Sequence, residues 1–337
     1  MNILLIQLKR IGDLVLTTPA IAAVRQHFPS ARISLVVAAG SRELLPAIAG
    51  IDRTFIARGK ISDAASWFGV ARRKYDYCVD FTHSDRSAFL AVLSGARKRI
   101  SFGHAELQSQ VRALTYNVLV NAPLRSLHTV DYHLALLAPL GIHDAPPEVR
   151  LQLPPDADEQ AARALAQAHI HSDFVLLHPG SARIEKFWEP ERWSRLVDWA
   201  ARRGLACVVT GGTAELEQTH LAAIKAQAQI QSPLVDLSGK LSLLALAALI
   251  RRARLLVTVD SAPAHLAAAM QTPQVVLFGP TNPLHWRPRF SPAVILQAGN
   301  AEPVTEFSPN QKRVPMNQIS TGQVIRGMEA VLAAPRE

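Results

Sequence analysis

The stretch from Leu255 to Thr281 constrains the fold more than any other part of the chain. It reads LLVTVDSAPAHLAAAMQTPQVVLFGPT. The β-branched run Leu255 to Val259 predicts a strand buried on both faces, and Ser261-Ala262-Pro263 leads into an alanine-rich helix from about Ala264 to Met270. A second buried strand, Gln274 to Phe278, follows. The stretch is therefore predicted to form a strand–helix–strand unit of a parallel sheet.

The rest of the chain repeats this alternation of strands and helices, which predicts an α/β protein with parallel sheets. A proline-bearing segment from Gly141 to Asp158 has the composition of a linker. We therefore predict two Rossmann-like domains, residues 1–155 and 156–318, with their sheets facing each other across a cleft. The segment from Ser291 to Pro315 is expected to be coil, and a C-terminal helix within residues 319–337 is expected to pack back toward the N-terminal domain.

Composition agrees with a buried globular protein, because 49% of the 337 residues are hydrophobic and 19% are charged. A net charge of +9 indicates either an anionic partner or simply a basic soluble protein. Nucleic acid is not favoured, since aromatic residues make up only 6% and no helix-turn-helix or zinc signature occurs. Cys78 and Cys207 lie in apolar runs and are expected to be buried thiols in a reducing cytosol. The apolar N-terminal run predicts a strand and not a secretory signal, and no apolar run reaches the ~18 residues of a membrane span.

Polar residues follow the predicted strands at six places. They are Asp13, Thr82 to Arg86, Ser181 to Lys186, Gly211 to Glu215, Asp260 to His265, and Gly279 to Thr281. In an open parallel sheet, ligands bind beyond the carboxyl ends of the strands. These loops are therefore expected to line a crevice that binds phosphate and hydroxyl groups.

Several of these residues have two interpretations. Arg183 and Lys186 suit a diphosphate, or they are a solvated pair at a helix start, where a cation is disfavoured unless an anion is present. Asp13 either interacts favourably with the dipole at a helix N-terminus or acts as a general base. Asp260 is either a helix cap or an acceptor for ligand N–H and hydroxyl groups. His265 either faces the ligand or is a buried structural histidine.

The sequence gives little support for a dinucleotide site, an NTP site or a metal site. No Gly-x-Gly-x-x-Gly or P-loop spacing occurs, which argues against a dehydrogenase and an NTPase. His83 with Asp85 suggests a metal, but a third ligand at suitable spacing is missing. His178, before Pro179, is expected to be structural. No metal site is predicted.

At this point the motifs resemble a known family, the bacterial ADP-heptose:lipopolysaccharide heptosyltransferases (glycosyltransferase family 9). The resemblance covers nearly the whole chain and rests on LKRIGDLVLTTPAIAAVR, HPGSARIEKFWEPERW, VTGG with a following glutamate, SGKLSL, VDSAPAHLAAA and FGPTNPLHWRP. The run YDYCVDFTHSDRSAFLAVLSGARKRI is most similar to the heptosyltransferase III branch. Many relatives read Asp-Thr-Gly-Pro where this chain has Asp260-Ser261-Ala262-Pro263, so Ala262 gives less backbone freedom there.

The resemblance implies a GT-B architecture and assigns roles to residues already noted. Asp13 matches the position proposed as catalytic base. The residues expected around the donor and its phosphates are Ser181, Arg183, Lys186, Gly212, Glu215, Leu241, Asp260, Ser261, Ala262 and His265. The residues expected on the acceptor side are Lys9, Arg10, Gly12, His83, Asp85 and Arg86.

The implied reaction is inverting, metal-independent transfer of heptose from ADP-L-glycero-D-manno-heptose to a hydroxyl of the phosphorylated lipopolysaccharide inner core. No cofactor is expected besides this donor, and no nucleic acid partner. The implied location is the cytoplasm, peripheral at the inner face of the inner membrane, whose anionic surface suits a basic protein. Two alternatives remain open from the sequence: a non-catalytic ADP-sugar-binding protein, and a nucleotide-sugar epimerase of the same architecture.

Overall fold

A computed structural model describes residues 1–58, 64–103, 109–228 and 234–333. The chain divides into two compact units, Met1–Gln152 and Leu153–Glu337. Each unit contains one six-stranded parallel sheet. The predicted α/β class, with two domains built on parallel sheets, is therefore confirmed.

The first unit has the strand order β3-β2-β1-β4-β5-β6. Its strands are β1 (Asn2–Gln7), β2 (Arg32–Ala38), β3 (Arg53–Ala57), β4 (Tyr77–Asp80), β5 (Lys98–Phe102) and β6 (Val118–Val120). Its helices are α1 (Ile11–Val15), α2 (Thr18–His27), α3 (Ala64–Ala71), α4 (Asp85–Leu93), α5 (Gln110–Thr115) and α6 (Thr129–Ala135), with short 3₁₀ segments at Ala39–Ala47, Leu124–Ser126 and Ala138–Leu140. The central strand β1 is buried on both faces, as its apolar sequence requires.

The second unit has the order β12-β11-β10-β7-β8-β9. Its strands are β7 (Phe174–His178), β8 (Ala206–Val209), β9 (Leu234–Asp236), β10 (Leu255–Val259), β11 (Gln274–Phe278) and β12 (Ala293–Gln297). Its helices are α7 (Pro155–Gln167), α8 (Pro190–Arg202), α9 (Glu215–Gln227), α10 (Leu243–Arg252), α11 (Ala262–Ala269), α12 (Pro283–Trp286) and α13 (Thr321–Ala333), with 3₁₀ turns at Ile184–Lys186 and Met316–Gln318.

Both sheets have the same topology, because each follows the order 3-2-1-4-5-6 when its own strands are counted from the first. In this arrangement the chain reverses direction across the sheet between the first and fourth strands, and ligands bind at that switch point. The switch points lie between β1 and β4 in the first unit and between β7 and β10 in the second. The loops after these four strands contain most of the predicted site residues.

One expectation about the C-terminal region is wrong. The segment Ser291 to Pro315 is not all coil, because Ala293–Gln297 forms the edge strand β12 and pairs with β11. The apolar face of the C-terminal helix α13 is covered within the second unit, and its packing toward the N-terminal domain stays a prediction. Val324, Met328 and Val331, spaced four and three residues apart, are buried in the core of the second unit, where α13 packs on β10, β11, β12 and α8. Residues 334–337 of the predicted helix lie outside the described residues.

The two cysteines are buried and unpaired with each other, as expected. Burial raises the pKa of the Cys207 thiol to about 12 and raises that of Cys78 as well. Among the helices of the described ranges, none combines the length and apolarity of a bilayer span.

Candidate functional site

Lys186 and Asp260 form a buried ion pair at the switch point of the second unit. Lys186 Nζ donates to Asp260 Oδ2 at 2.6 Å and to the backbone carbonyl of Asp260 at 2.9 Å. Thr281 Oγ1 donates to the same Asp260 Oδ2 at 2.8 Å. Lys186 is 8% exposed and Asp260 5% exposed. The loops after β7, β10 and β11 therefore meet at one charged point.

The ion pair gives Lys186 and Asp260 surroundings that differ from those expected from the sequence. Lys186 does not lie at the start of a regular helix but in the 3₁₀ turn Ile184–Lys186, and its counter-ion is Asp260. Asp260 is not the helix cap, because Ser261 is the residue at the N-cap of α11. Asp260 instead uses its carboxylate to hold the ammonium group of Lys186.

The N-terminus of α11 is not capped by its own N-cap side chain. The Ser261 hydroxyl donates back to the Val259 carbonyl at 3.2 Å and lies 3.3 Å from Thr258 Oγ1. No side-chain hydrogen bond from Ser261 reaches the first turn of the helix. The N–H groups of that turn and the positive end of the helix dipole are a suitable environment for an anion. Ala262 and the buried His265 lie in this first turn.

Glu217, and not Glu215, contacts the glycine loops of the second unit. Gly212 N donates to Glu217 Oε2 at 2.8 Å, and a Cβ at Gly180 would overlap the same carboxylate oxygen. Glu215 is exposed at the start of α9. Glu217 is two residues further, in the third position of the helix, from which a side chain can fold back over the preceding loop. Glu217 is thus the acidic side chain at the start of α9 that contacts Gly212, and a role of Glu215 at the donor stays a prediction.

The remaining predicted donor residues occupy the same edge with local contacts. Arg183 Nε donates to Glu185 at 2.6 Å, so its guanidinium group is engaged by a neighbour. Ser181 Oγ accepts from Arg183 N at 3.3 Å. Leu241 is half-buried just before α10. His178 is buried with Nδ1 at 3.0 Å from Thr210 Oγ1, which agrees with a structural role, and burial lowers its pKa to about 4.

Asp13 lies in the short helix α1 and not in a loop. Its Oδ2 accepts from Arg10 N at 3.3 Å, and its backbone carbonyl accepts from Thr17 Oγ1 at 2.7 Å. Thr17 Oγ1 also accepts from Gln7 Nε2 at 2.9 Å, so the end of β1 anchors the helix. Asp13 is half-buried. Its carboxylate can therefore interact with the positive end of the helix dipole and still present its second oxygen to a substrate hydroxyl.

The loop after β4 is joined to the loop after β1, as the switch-point topology predicts. Leu8 N donates to Thr82 Oγ1 at 2.7 Å. Asp80, at the end of β4, is fully buried; it accepts from Thr82 N at 2.8 Å and from the Tyr116 hydroxyl. Burial raises the pKa of Asp80. Sequence reasoning could not find this role of Asp80, because its partner Tyr116 is 36 residues away.

The predicted acceptor-side residues divide into buried and exposed groups. His83 has a left-handed backbone (φ 60°), with Nδ1 at 2.9 Å from Ser101 Oγ and its ring 4.9 Å from that of Phe102. Asp85 forms a 2.8 Å ion pair with Arg112. Lys9, Arg10 and Arg86 are exposed, and Gly12 is buried.

The described residues contain no group of three or more His, Cys, Asp or Glu side chains placed to hold a metal ion. His83 and Asp85 thus have no third ligand of these types in that part of the chain.

Comparisons with known proteins agree with this arrangement. The family model described as "Glycosyltransferase family 9 (heptosyltransferase)" matches residues 66–314. The chain is 30% identical over 332 residues to lipopolysaccharide heptosyltransferase 3 of Escherichia coli, covering 95% of this chain and 96% of that protein.

Two solved structures share the fold. A glycosyl transferase family 9 protein from Veillonella parvula DSM 2008 superimposes with a TM-score of 0.84 at 24% identity, covering 98% of this chain and 97% of that one. The E. coli heptosyltransferase WaaC with ADP gives a TM-score of 0.72 at 20% identity, with coverage of 98% and 97%. The expected GT-B fold class is confirmed. Because the family model spans well over half of the chain, this protein belongs to glycosyltransferase family 9, the heptosyltransferase family.

Proposed function

We propose that this protein transfers a heptosyl group from ADP-heptose to a hydroxyl of the lipopolysaccharide inner core, with inversion and without a metal ion, in the manner of heptosyltransferase III. The observation that carries the proposal is the buried Lys186–Asp260 pair at the second switch point, next to the N-terminus of α11. The name of the E. coli relative supports the acceptor class, and the solved structure of WaaC with ADP supports the donor class.

Lys186 can donate to the donor's diphosphate without losing its partner. An ammonium group has three N–H donors. Two of these are used on Asp260, at Oδ2 and at the backbone carbonyl, and one remains for a phosphate oxygen. As the sugar becomes oxocarbenium-like, negative charge collects on the departing ADP. That charge is stabilised by this donor and by the N–H groups at the start of α11.

Asp13 acts as the base for the acceptor hydroxyl. One of its carboxylate oxygens accepts from the backbone of Arg10, which leaves the other for the substrate proton. Ser181 and Leu241 border the nucleotide, and we assign Glu217 the acidic position there in place of Glu215. The acceptor is a phosphorylated core glycolipid that lies in the inner membrane. The protein therefore associates with the inner face of that membrane to reach it.

The test measures ADP release and the mass of the heptosylated product, with purified protein, ADP-heptose and a soluble core oligosaccharide. Asp13→Asn keeps an acceptor for the Arg10 N–H but cannot take the proton, so kcat should fall by about 10²–10⁴ while ADP-heptose affinity is retained. Asp144→Asn, at an exposed acid of the same unit, is the matched control and should keep wild-type activity. Undiminished transfer by Asp13→Asn contradicts the base assignment. Wild-type protein that releases or isomerises the sugar without any transfer contradicts the proposed reaction.

A further inference from the structure

Three neighbouring helices of the first unit carry large apolar side chains on their solvent side. Phe68 on α3 is 62% exposed, Phe89 and Val92 on α4 are 50% and 57% exposed, and Leu114 on α5 is 88% exposed. We name these four residues the apolar face of α3–α5. They are half of the eight large hydrophobic side chains that are exposed within the described residues.

The three helices that carry the apolar face are neighbours. α4 packs against both α3 and α5. The Trp67 and Phe89 rings are in edge contact at 5.6 Å between α3 and α4, and the Asp85–Arg112 ion pair joins α4 to α5 at 2.8 Å. A patch shared by three helices is more than the isolated exposed hydrophobic residues that any protein surface has.

The exposed apolar side chains do not contribute to the core of the first unit. The opposite side of α3 and α4 packs against the sheet and contributes to that core. Val70 of α3 and Ala88, Leu90 and Ala91 of α4 are buried against the sheet in one cluster. On α4 the exposed positions Asp85, Phe89 and Val92 follow each other at four and three residues, which is one helical stripe. An outer helix is normally polar along that stripe. α3 and α4 therefore carry apolar side chains on both their buried and their exposed sides.

The edge of the apolar face is positively charged. The exposed residues Arg72 and Lys74 follow α3, and the exposed residues Arg97 and Lys98 follow α4, so all four lie at the same end of the two helices. The Arg72 guanidinium lies over the Phe68 ring, 5.2 Å from its centroid. Within the described part of the chain, none of the four forms an ion pair with an acidic side chain. The acid on the outer stripe of α4, Asp85, is already paired with Arg112.

We propose that the apolar face of α3–α5 is the docking surface for an anionic lipid bilayer. Its aromatic and aliphatic side chains enter the interfacial region, and the four cations at its edge contact headgroup phosphates. A second copy of this chain is disfavoured, because a symmetric contact would place the same unpaired cations opposite each other. The proposal rests on the proposed function in one respect, that the acceptor is a membrane glycolipid.

The experiment is flotation of the full chain with vesicles of phosphatidylethanolamine and phosphatidylglycerol, compared with vesicles of phosphatidylcholine alone. The test variant is Phe68→Ser/Phe89→Ser/Leu114→Ser. The matched control is Phe290→Ser, since Phe290 is 49% exposed in the second unit and has the Arg289 guanidinium 5.0 Å from its ring, as Phe68 has Arg72. We expect the wild type and the control to bind the anionic vesicles, and the triple variant to bind about a hundredfold or more weakly.

A second variant tests the charge. Replacing the four edge cations with glutamine should remove the preference for phosphatidylglycerol and the sensitivity of binding to salt. The proposal is overturned if the wild type does not bind anionic vesicles, if the triple variant binds them as tightly as the wild type, or if the wild type forms a dimer in solution that the triple variant loses.

A soluble acceptor separates this proposal from the proposed function. Transfer of heptose to a soluble core oligosaccharide should be the same in the wild type and the triple variant, because the apolar face does not include the proposed base or donor residues. Normal transfer together with unchanged vesicle binding by the triple variant overturns the docking surface alone. Vesicle binding that depends on the apolar face, in a wild type without transferase activity, overturns the proposed function alone.

Discussion

Replacing Lys186 with methionine should destabilise the second unit strongly. The change keeps the length of the side chain but leaves the Asp260 carboxylate, 5% exposed, with Thr281 as its remaining side-chain donor. Removing one member of a buried ion pair costs about 3–5 kcal/mol, because the other charge stays desolvated. Asp260→Asn should also be destabilising, since the Lys186 ammonium loses its counter-charge. The double variant Lys186→Met/Asp260→Asn removes both charges. Its free energy of unfolding should therefore be within about 1–2 kcal/mol of the wild-type value.

The assay is urea unfolding followed by tryptophan fluorescence. Four of the five tryptophans, at positions 188, 193, 199 and 286, belong to the second unit. Trp188 and Trp193 are fully buried, so the signal reports mainly on this unit. The three variants and the wild type form a double-mutant cycle, whose coupling energy we expect to be at least about 3 kcal/mol.

The cycle also separates a structural role of Lys186 from donor binding. If the double variant is stable but binds ADP-heptose weakly in calorimetry, the ammonium group contacts the donor. A free energy of unfolding for Lys186→Met within about 1 kcal/mol of the wild type would refute the reasoning, because the buried carboxylate would then have another source of stabilisation. Wild-type donor affinity in a stable double variant would refute the role of Lys186 in phosphate binding.

Two further predictions concern the second unit. Glu217→Ala should weaken ADP binding about tenfold in calorimetry, because the side-chain oxygen that accepts from Gly212 N is lost, whereas Glu215→Ala at an exposed position should change it little; the reverse order would return the assignment to Glu215. His178 has a pKa lowered from 6.5 to about 4, so between these values the unfolded chain binds a proton that the folded chain does not. Stability should therefore fall as the pH drops from 6.5 to 4, and it should fall about 1.4 kcal/mol per pH unit less steeply in His178→Gln, which cannot titrate. Equal slopes in urea unfolding across this pH range would contradict the burial of a neutral imidazole.

The fold was most predictable where the hydrophobic pattern was strong. The strands Leu255–Val259 and Gln274–Phe278 have the predicted bounds, and the helix between them begins at Ala262, two residues before the predicted start. The edge strand Ala293–Gln297 is not indicated by its sequence, because Pro288 and Pro292 precede it and favour coil. Its pairing with β11 stabilises it through a partner that local sequence does not reveal.

The loops of the candidate site could be predicted, but not their internal contacts. A polar residue after a buried strand indicates the ligand edge of a parallel sheet, and this located Asp13, Lys186 and Asp260. It could not indicate that Lys186 and Asp260, which are 74 residues apart, form an ion pair. Nor could it decide between Glu215 and Glu217, because that choice depends on which turn position of α9 folds back over Gly212.

The two switch points differ in how firmly they hold their charged groups, and this difference bears on the chemistry. Lys186 is fixed by two hydrogen bonds to Asp260, which is itself fixed by Thr281. A donor held in this way needs no reorganisation when charge develops on the leaving group, which is the condition for strong electrostatic stabilisation. Asp13 is half-buried, and its carboxylate has one 3.3 Å bond to its own helix start. In the proposed reaction, the leaving-group side would therefore be preorganised by the protein alone, whereas the orientation of the proposed base, Asp13, would be left to the acceptor hydroxyl.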